Sequence, residues 1–160
     1  EARLARLERG ALLHDIGKIA IPHNVLMKRG PLSPEEWRVM KLHPVIGWEL
    51  LNEFDGFERE SEIVLGHHEK FDGSGYPRGL MGESIPLEAR LFSIVDAYDA
   101  MTSDRPYRAG RRPDEAMAEI RASAGGHFDP DLTTVFTSLP RGALDAIRTR
   151  WPDMPEELPE

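Results

Sequence analysis

Apolar residues recur at helical spacing along nearly the whole of this 160-residue chain, and strand-like alternation is absent over any useful length. Leu4, Leu7, Ala11 and Leu12 mark a first helix that runs into His14. Ser33-Pro34-Glu35-Glu36 reads as a capping box with proline at the first helical position, opening a helix through Trp37, Met40 and Leu42. Pro44 bends or restarts that helix, and Ile46, Leu50, Leu51 and Phe54 continue its apolar face. A third helix fits Ser61 to Glu69. A fourth begins at Pro86 and carries Leu91, Ile94, Val95, Tyr98 and Met101 on its buried side. Pro113 starts a fifth that ends near Gly125-Gly126, Pro130 starts a sixth through Leu132, Val135 and Phe136, and a short helix fits Gly142 to Arg150. The expected class is all-α.

At this length one compact domain is expected, over residues 1–150, with room for a sizeable core. Residues 151–160 read as an acidic, proline-containing tail: from Asp153 to Glu160 there are four carboxylates and no base. No apolar run is long enough to span a membrane, and no leader pattern opens the chain. With no cysteine, the expected setting is a reducing cytoplasm. The same absence removes thiolate ligands, so any metal must be held by His, Asp and Glu, a donor set that favours hard or borderline ions. A formal net charge of -8 argues against a binder of long nucleic acid, which needs a basic surface. Arg105, Arg108, Arg111 and Arg112 nevertheless cluster around Asp104, a local basic patch suited to a small anionic ligand.

Two stretches break the helical pattern. Ala20 to Pro31 is a loose connector, while Lys70 to Pro86 holds four glycines and two prolines. A loop of that second length inside a compact domain is more often functional than idle.

Six histidines are present, and five precede residue 69. Two doublets stand out, His14-Asp15 and His67-His68, both near the ends of predicted helices. Neighbouring helical residues point about 100° apart, so a doublet cannot aim both side chains along one line, but it can straddle two ions. Two ions roughly 3.5–4 Å apart are the usual device for clamping the attacking and leaving oxygens of a phosphoryl displacement. A lone His beside an Asp is as often a hydrogen-bonded structural pair, and His43 taken alone reads as structural. His67-His68 is harder to explain by packing, because each buried imidazole needs a polar partner. Asp96 sits mid-helix among Ile94, Val95 and Tyr98, where an unpaired carboxylate is costly; an ion or an arginine would resolve it.

Together these segments resemble the HD-GYP family, a branch of the HD metal-dependent phosphohydrolases. The segments are His14-Asp15-Ile16-Gly17-Lys18, then His43, then His67-His68-Glu69-Lys70-Phe71-Asp72-Gly73-Ser74-Gly75-Tyr76-Pro77. Asp96-Ala97-Tyr98-Asp99 through Arg105-Pro106-Tyr107-Arg108 and Gly126-His127-Phe128-Asp129-Pro130 complete them. The resemblance runs from about Leu12 to Leu139. It implies an HD-domain-like helical bundle with a Gly-Tyr-Pro loop, holding two or three divalent ions, commonly iron or manganese. It further implies hydrolysis of cyclic di-GMP to linear pGpG or GMP through a metal-bridging hydroxide. By position, the implied metal ligands are His14, Asp15, His43, His67, His68 and Asp96, with Asp15 bridging. Asp15 and Lys18 would be catalytic. Lys18, Arg105 and Arg108 would contact phosphates, and Gly73, Tyr76 and Pro77 would shape the loop beside the ligand. Two divalent ions against two Asp ligands would leave a net cationic centre, and metal binding lowers the pKa of water to about 7 in favourable sites.

The resemblance also implies partners: a sensory or receiver domain upstream in a longer parent, and GGDEF-domain proteins. Family members usually carry a further His, sometimes a Glu, upstream of the His-Asp pair. None of the thirteen residues before His14 is His, so an N-terminally truncated domain is expected. His23 stands where the family usually shows Asp. For Glu69 and Lys70 an exposed ion pair fits as well as contact with a ligand, and His127 reads as a side chain that packs or hydrogen-bonds locally. The competing readings are a non-catalytic module binding a cyclic dinucleotide or a partner domain, and an HD phosphohydrolase acting on mononucleotides.

Overall fold

The computed structural model describes residues 2–104 and 109–150, which form helices joined by turns. Among the described residues there is no β-strand, only isolated bridges between Asp72 and Met81 and between Ala124 and Phe128. The helices are α1 (Ala2–Leu13), α2 (His23–Leu26), α3 (Pro34–Met40), α4 (His43–Asn52), α5 (Glu58–Gly66), α6 (Leu87–Thr102), α7 (Pro113–Ala122), α8 (Pro130–Thr137) and α9 (Arg141–Arg150). Two 3-10 turns, Ile16–Ala20 and Gly82–Ser84, complete the inventory. The all-α expectation holds. No helix is long and apolar enough to cross a membrane among the described residues.

Helix starts follow local chemistry. The Ser33 hydroxyl accepts from the Glu36 N–H at 3.2 Å, while the Ser33 N–H donates to the Glu36 carboxylate at 2.6 Å, closing the expected capping box. Pro44 restarts the chain instead of bending it: α3 ends and α4 begins at His43, with the proline in its first turn. Asp129 caps α8 by accepting from the N–H groups of Asp131 and Leu132.

Helix α5 sits at the centre of the N-terminal half, packed by α1, α4 and α6, and buries Ile63, Val64 and Leu65. The second half is organised by α6, α7 and α8 around Ile94, Tyr98, Ala116, Ile120, Phe128 and Phe136. Helix α6 therefore belongs to both halves: Ala89 and Phe92 lie on its first turns, while Ile94 and Tyr98 enter the second cluster.

Several details depart from the sequence reading. Leu4 and Leu12 are exposed, while Leu7 and Ala11 are half-buried and Gly10, unmarked in the sequence, is the buried residue of α1. A small residue lets the helices approach, and Gly10 lies directly against Ile63. Arg9 reinforces the contact with an ion pair to the buried carboxylate of Glu60. Helix α5 begins at Glu58 and stops at Gly66, so His67 and His68 lie just past a helix end rather than within it. Val95 is exposed on α6, because the helix turns Ile94 and Tyr98 inward and Val95, about 100° round from Ile94, falls at the solvent side. The connector after Ile21 also contains the one-turn helix α2, which buries Val25.

Candidate metal centre

Three histidines enter one cavity from three different backbone segments. His14 follows α1, His43 is the first residue of α4, and His67 caps the C-terminus of α5. Each ring nitrogen Nδ1 lies on the carbonyl oxygen three residues earlier: Ala11 at 2.6 Å, Met40 at 2.8 Å and Val64 at 2.6 Å. A carbonyl can only accept, so each Nδ1 carries the proton; in His43 and His67, which burial keeps neutral, Nε2 then presents a lone pair. This is the arrangement that orients imidazoles for metal ligation, with a backbone partner fixing the tautomer.

The Nε2 atoms then face one another. Those of His43 and His67 are 3.3 Å apart, and with both Nδ1 atoms already donating, that approach sets lone pair against lone pair. The Asp15 carboxylate adds two more acceptors, Oδ1 at 3.4 Å from His43 Nε2 and Oδ2 at 3.3 Å from His14 Nε2. His68 joins from the next position, with ligand atoms of His43, His67 and His68 all within 4.8 Å of one another. Lys18 and His14 serve Asp15, but no donor lies between the His43 and His67 nitrogens, an approach that is unfavourable unless a cation lies beside them. The donor set, imidazole nitrogens and carboxylate oxygens without thiolate, fits a divalent ion of borderline hardness.

Electrostatics match that fit. Burial, together with the neighbouring imidazoles, holds His67 down to about 4 and His68 down to about 2, so both are neutral ligands at pH 7. Burial lowers His43 as well. His14 moves the other way: burial opposes charge, but hydrogen bonding to Asp15 and to the Ala11 carbonyl outweighs it. Burial alone would raise Asp15; hydrogen bonds from His14 and Lys18 instead hold its carboxyl far below the usual range. Asp96, half-buried on α6, is raised, chiefly by burial, and feels the charges of His14 and Asp15 across the cavity.

Close backbone contacts set this geometry. The 3-10 turn Ile16–Ala20 runs against α4 at Gly17, where an added Cβ would lie 2.0 Å from the His43 carbonyl oxygen and 2.6 Å from the Gly47 nitrogen. Only glycine permits that approach, and it brings Asp15 beside His43. Lys18 lies on the same turn, and its ammonium sits 2.5 Å from Asp15 Oδ2.

The loop after His68 folds back over the cluster. Tyr76 stacks on His68, with ring centroids 4.8 Å apart and planes 29° from parallel. Its phenol is pushed up to about 12, mainly by burial, and stays protonated at neutral pH. Gly73 occupies an outer turn of the loop, against Met81 rather than the imidazoles, and Pro77 is exposed beyond a cis Tyr76-Pro77 peptide bond. Of the residues singled out in the sequence, His14, Asp15, Lys18, His43, His67, His68 and Tyr76 come together, with Asp96 facing them. Arg105 and Arg108 lie outside the described residues. His127 stacks on Phe128 at 4.2 Å, a local contact as expected.

Glu69 corrects an expectation. It is no exposed ion pair but is 2% exposed, accepting from the backbone N–H groups of Arg78 and Leu80. Two further residues escaped the sequence reading. Phe92 packs against the His14 ring at 4.9 Å; its position one turn before Asp96 on α6 was the available signal. The Lys41 ammonium lies 5.1 Å from the Tyr76 ring centroid, and nothing in its sequence context marks it.

Comparisons with known proteins agree with this geometry. The HD domain model matches residues 1–132. The chain is 49% identical over 134 residues to the cyclic di-GMP phosphodiesterase response regulator RpfG of Xanthomonas campestris pv. campestris, covering 81% of this chain and 35% of that protein. It is 39% identical over 150 residues to a cyclic di-GMP phosphodiesterase of Thermotoga maritima, covering 92% of this chain and 41% of the relative. It thus spans well under half the length of these curated relatives. An HDG"Y"P protein from Bdellovibrio bacteriovorus superimposes with a TM-score of 0.61 at 26% identity, over 83% of this chain and 44% of that one. The histidine cluster, the loop above it and these matches agree: the chain belongs to the HD domain family, in its HD-GYP branch.

Proposed function

We propose that this domain is a metal-dependent phosphodiesterase that hydrolyses cyclic di-GMP to linear pGpG, and onward to GMP. The observation that carries the reading is the convergence of the His43 and His67 Nε2 lone pairs with the Asp15 carboxylate, with no proton to share between the two imidazoles. His14, Asp15, His43, His67, His68 and Asp96 would hold two or three divalent ions, iron or manganese. When bound, such ions polarise a phosphodiester and lower the pKa of a water molecule.

The chain's own residues contribute in distinct ways. Asp15, ionised at any working pH, supplies two oxygens facing two different histidines, the disposition a bridging ligand needs. Lys18 holds that carboxylate in place and brings a positive charge to the cavity, where charge building on a non-bridging phosphate oxygen is stabilised. Tyr76 roofs the cluster as a neutral phenol. Arg105 and Arg108 would take the second phosphate, guanidinium being suited to bidentate anion contact. Water adds across one 3′-phosphate ester, its hydroxyl going to phosphorus and its proton to the ribose oxygen; a second addition yields GMP. In a longer parent, an upstream receiver or sensory domain would supply the input, and GGDEF-domain proteins are candidate partners.

The test is metal analysis of anaerobically purified protein alongside turnover of cyclic di-GMP, with 3′3′-cGAMP offered in parallel. Asp15→Ala is expected to lose bound metal and activity together. Activity that survived this change would refute the reading. Bound metal and bound nucleotide without product would favour a non-catalytic regulatory module.

A further inference from the structure

The buried carboxylate of Glu69 stands next to the histidine doublet, yet it points away from the cluster and into the loop that follows. Its Oε1 accepts from the Arg78 N–H at 2.7 Å and its Oε2 from the Leu80 N–H at 3.0 Å. Glu69 makes no ion pair among the described residues; at 2% exposure its two carboxyl oxygens are satisfied by backbone amides rather than by a cation. The dependence is mutual. Without those two amides the carboxylate is stranded in a dry site, and without the carboxylate two loop amides lose their acceptor.

The rest of the loop is tied at its other points. Phe71 and Asp72 donate to the carbonyls of His127 and Gly126 at 3.0 and 2.9 Å, anchoring the loop base to the turn before α8. Tyr76 donates to the His68 carbonyl at 3.2 Å. Gly75 lies so close to Glu69 and Lys70 that a Cβ would meet the Lys70 nitrogen at 2.3 Å. Between those ties and the 3-10 turn at Gly82, the return limb that carries Arg78 and Leu80 is held by Glu69 through its backbone and by Glu62, 3.0 Å from the Arg78 guanidinium. Tyr76 sits at the crest of the segment so enclosed, stacked on His68.

We propose that Glu69 is a positioning residue, a clasp whose two backbone hydrogen bonds hold Tyr76 over the histidine cluster and so govern substrate affinity without touching substrate or metal. This rests on the cyclic di-GMP reading for its substrate, but the clasp itself is a property of the loop and can be measured without substrate. If the limb behind it is released, Tyr76 keeps only its N–H bond to the His68 carbonyl and loses the restraint on its C-terminal side that holds the ring stacked on His68. The imidazoles of His14, His43 and His67, tied to the carbonyls of Ala11, Met40 and Val64, keep their places.

The experiment uses this chain loaded with manganese, in wild-type, Glu69→Gln and Glu69→Ala forms. The glutamine variant keeps one acceptor oxygen and turns donors toward the second amide, so it loses one bond; the alanine variant loses both. Amide hydrogen exchange at Arg78 and Leu80 is expected to accelerate at least tenfold in Glu69→Gln and further in Glu69→Ala. Manganese stoichiometry should stay at the wild-type value. With cyclic di-GMP as substrate, KM is expected to rise tenfold or more in Glu69→Gln while kcat changes less than threefold. A purely structural Glu69 would lower the unfolding midpoint and leave the KM of the folded fraction unchanged. That outcome, or unaltered exchange at both amides, would overturn the proposal. If the wild-type chain does not turn over cyclic di-GMP, the substrate reading fails alone, and the exchange rates still decide the clasp. Should Glu69→Ala not fold, Glu69→Gln carries the test.

Discussion

Replacing Gly17 by alanine tests whether the approach of the 3-10 turn to α4 builds the metal centre. The new methyl would lie 2.0 Å from the His43 carbonyl oxygen, 2.6 Å from the Gly47 nitrogen and 2.9 Å from the His43 carbonyl carbon, all backbone atoms that no side-chain rotation can move. Restoring an ordinary 3.4 Å contact requires the turn to back away from α4 by about 1.4 Å. Asp15 opens that turn and now stands 3.4 Å from His43 Nε2, so it retreats with it. Ligand distances at a bound ion tolerate about 0.2 Å, so a shift several times larger cannot leave Asp15 and His43 on a common ion. The expected loss of manganese affinity is therefore tenfold at least and nearer a hundredfold, with overpacking costing a further ~1–3 kcal/mol of stability. Calorimetric titration of metal-stripped protein with manganese reads the first effect, and urea unfolding the second. Gly142→Ala is the control: nothing lies within 4 Å of a Cβ there, so affinity should be unchanged. Wild-type manganese affinity in Gly17→Ala would refute the claim that this backbone contact sets the ligand geometry.

Other perturbations follow from the same packing. Arg9→Leu strands the buried Glu60 carboxylate between α1 and α5 and should cost ~3–5 kcal/mol in urea unfolding, far more than a surface ion pair would. Asp129→Ala removes the α8 cap and the buried partner of Arg90, a 2.5 Å pair, and should lower stability by about as much, without changing manganese stoichiometry. In metal-free protein, His67 and His68 are depressed well below the 6.5 of an unfolded chain. The folded state therefore binds fewer protons than the unfolded state below that pH, and stability should fall as pH drops from 6.5 toward 4. His67 alone accounts for a loss on the order of 2 kcal/mol at pH 5, partly offset by His14, whose raised pKa works in the opposite sense. Saturating manganese should strengthen the dependence, since protons then compete with metal; a flat profile between pH 7.5 and 5 in the metal-free form would refute the shifts.

Most of the fold was legible because its punctuation is local. Pro34, Pro44, Pro113 and Pro130 all stand in the first turn of a helix, and the Ser33–Glu36 capping box closes as its spacing predicts. Burial was less legible, because it is decided by what lies opposite. Leu4 and Leu12 have the spacing of a core stripe, yet α1 meets α5 through Gly10 and Arg9, and no property of α1 alone reveals that its partner offers Ile63 and Glu60. The end of α1 falls at His14 as expected, whereas the end of α5 was misplaced by the few residues that matter chemically. His14 and His67 bond their Nδ1 atoms to carbonyls left open at a helix end, so the sites begin where helical periodicity stops informing.

That coincidence explains how helical ends come to hold a polar cluster in an otherwise apolar interior. The last carbonyls of a helix lack intrahelical donors, and an imidazole three residues on can satisfy one while turning its other nitrogen away from the axis. His14 and His67 do this at the ends of α1 and α5, and His43 does it with the Met40 carbonyl where α3 gives way to α4. One device used three times thus settles three otherwise open carbonyls, pins three Nδ1–H groups, and turns three Nε2 atoms inward. Helix α5, packed between α1 and α4, carries those three ends to the same side of the bundle. The cost of gathering acceptors there is a standing repulsion, most direct between His43 and His67 at 3.3 Å, which a divalent cation relieves. The protein should accordingly gain more stability from manganese than its ligand count alone suggests, and substituting His43 by an asparagine should reduce that gain while raising the stability of the metal-free form.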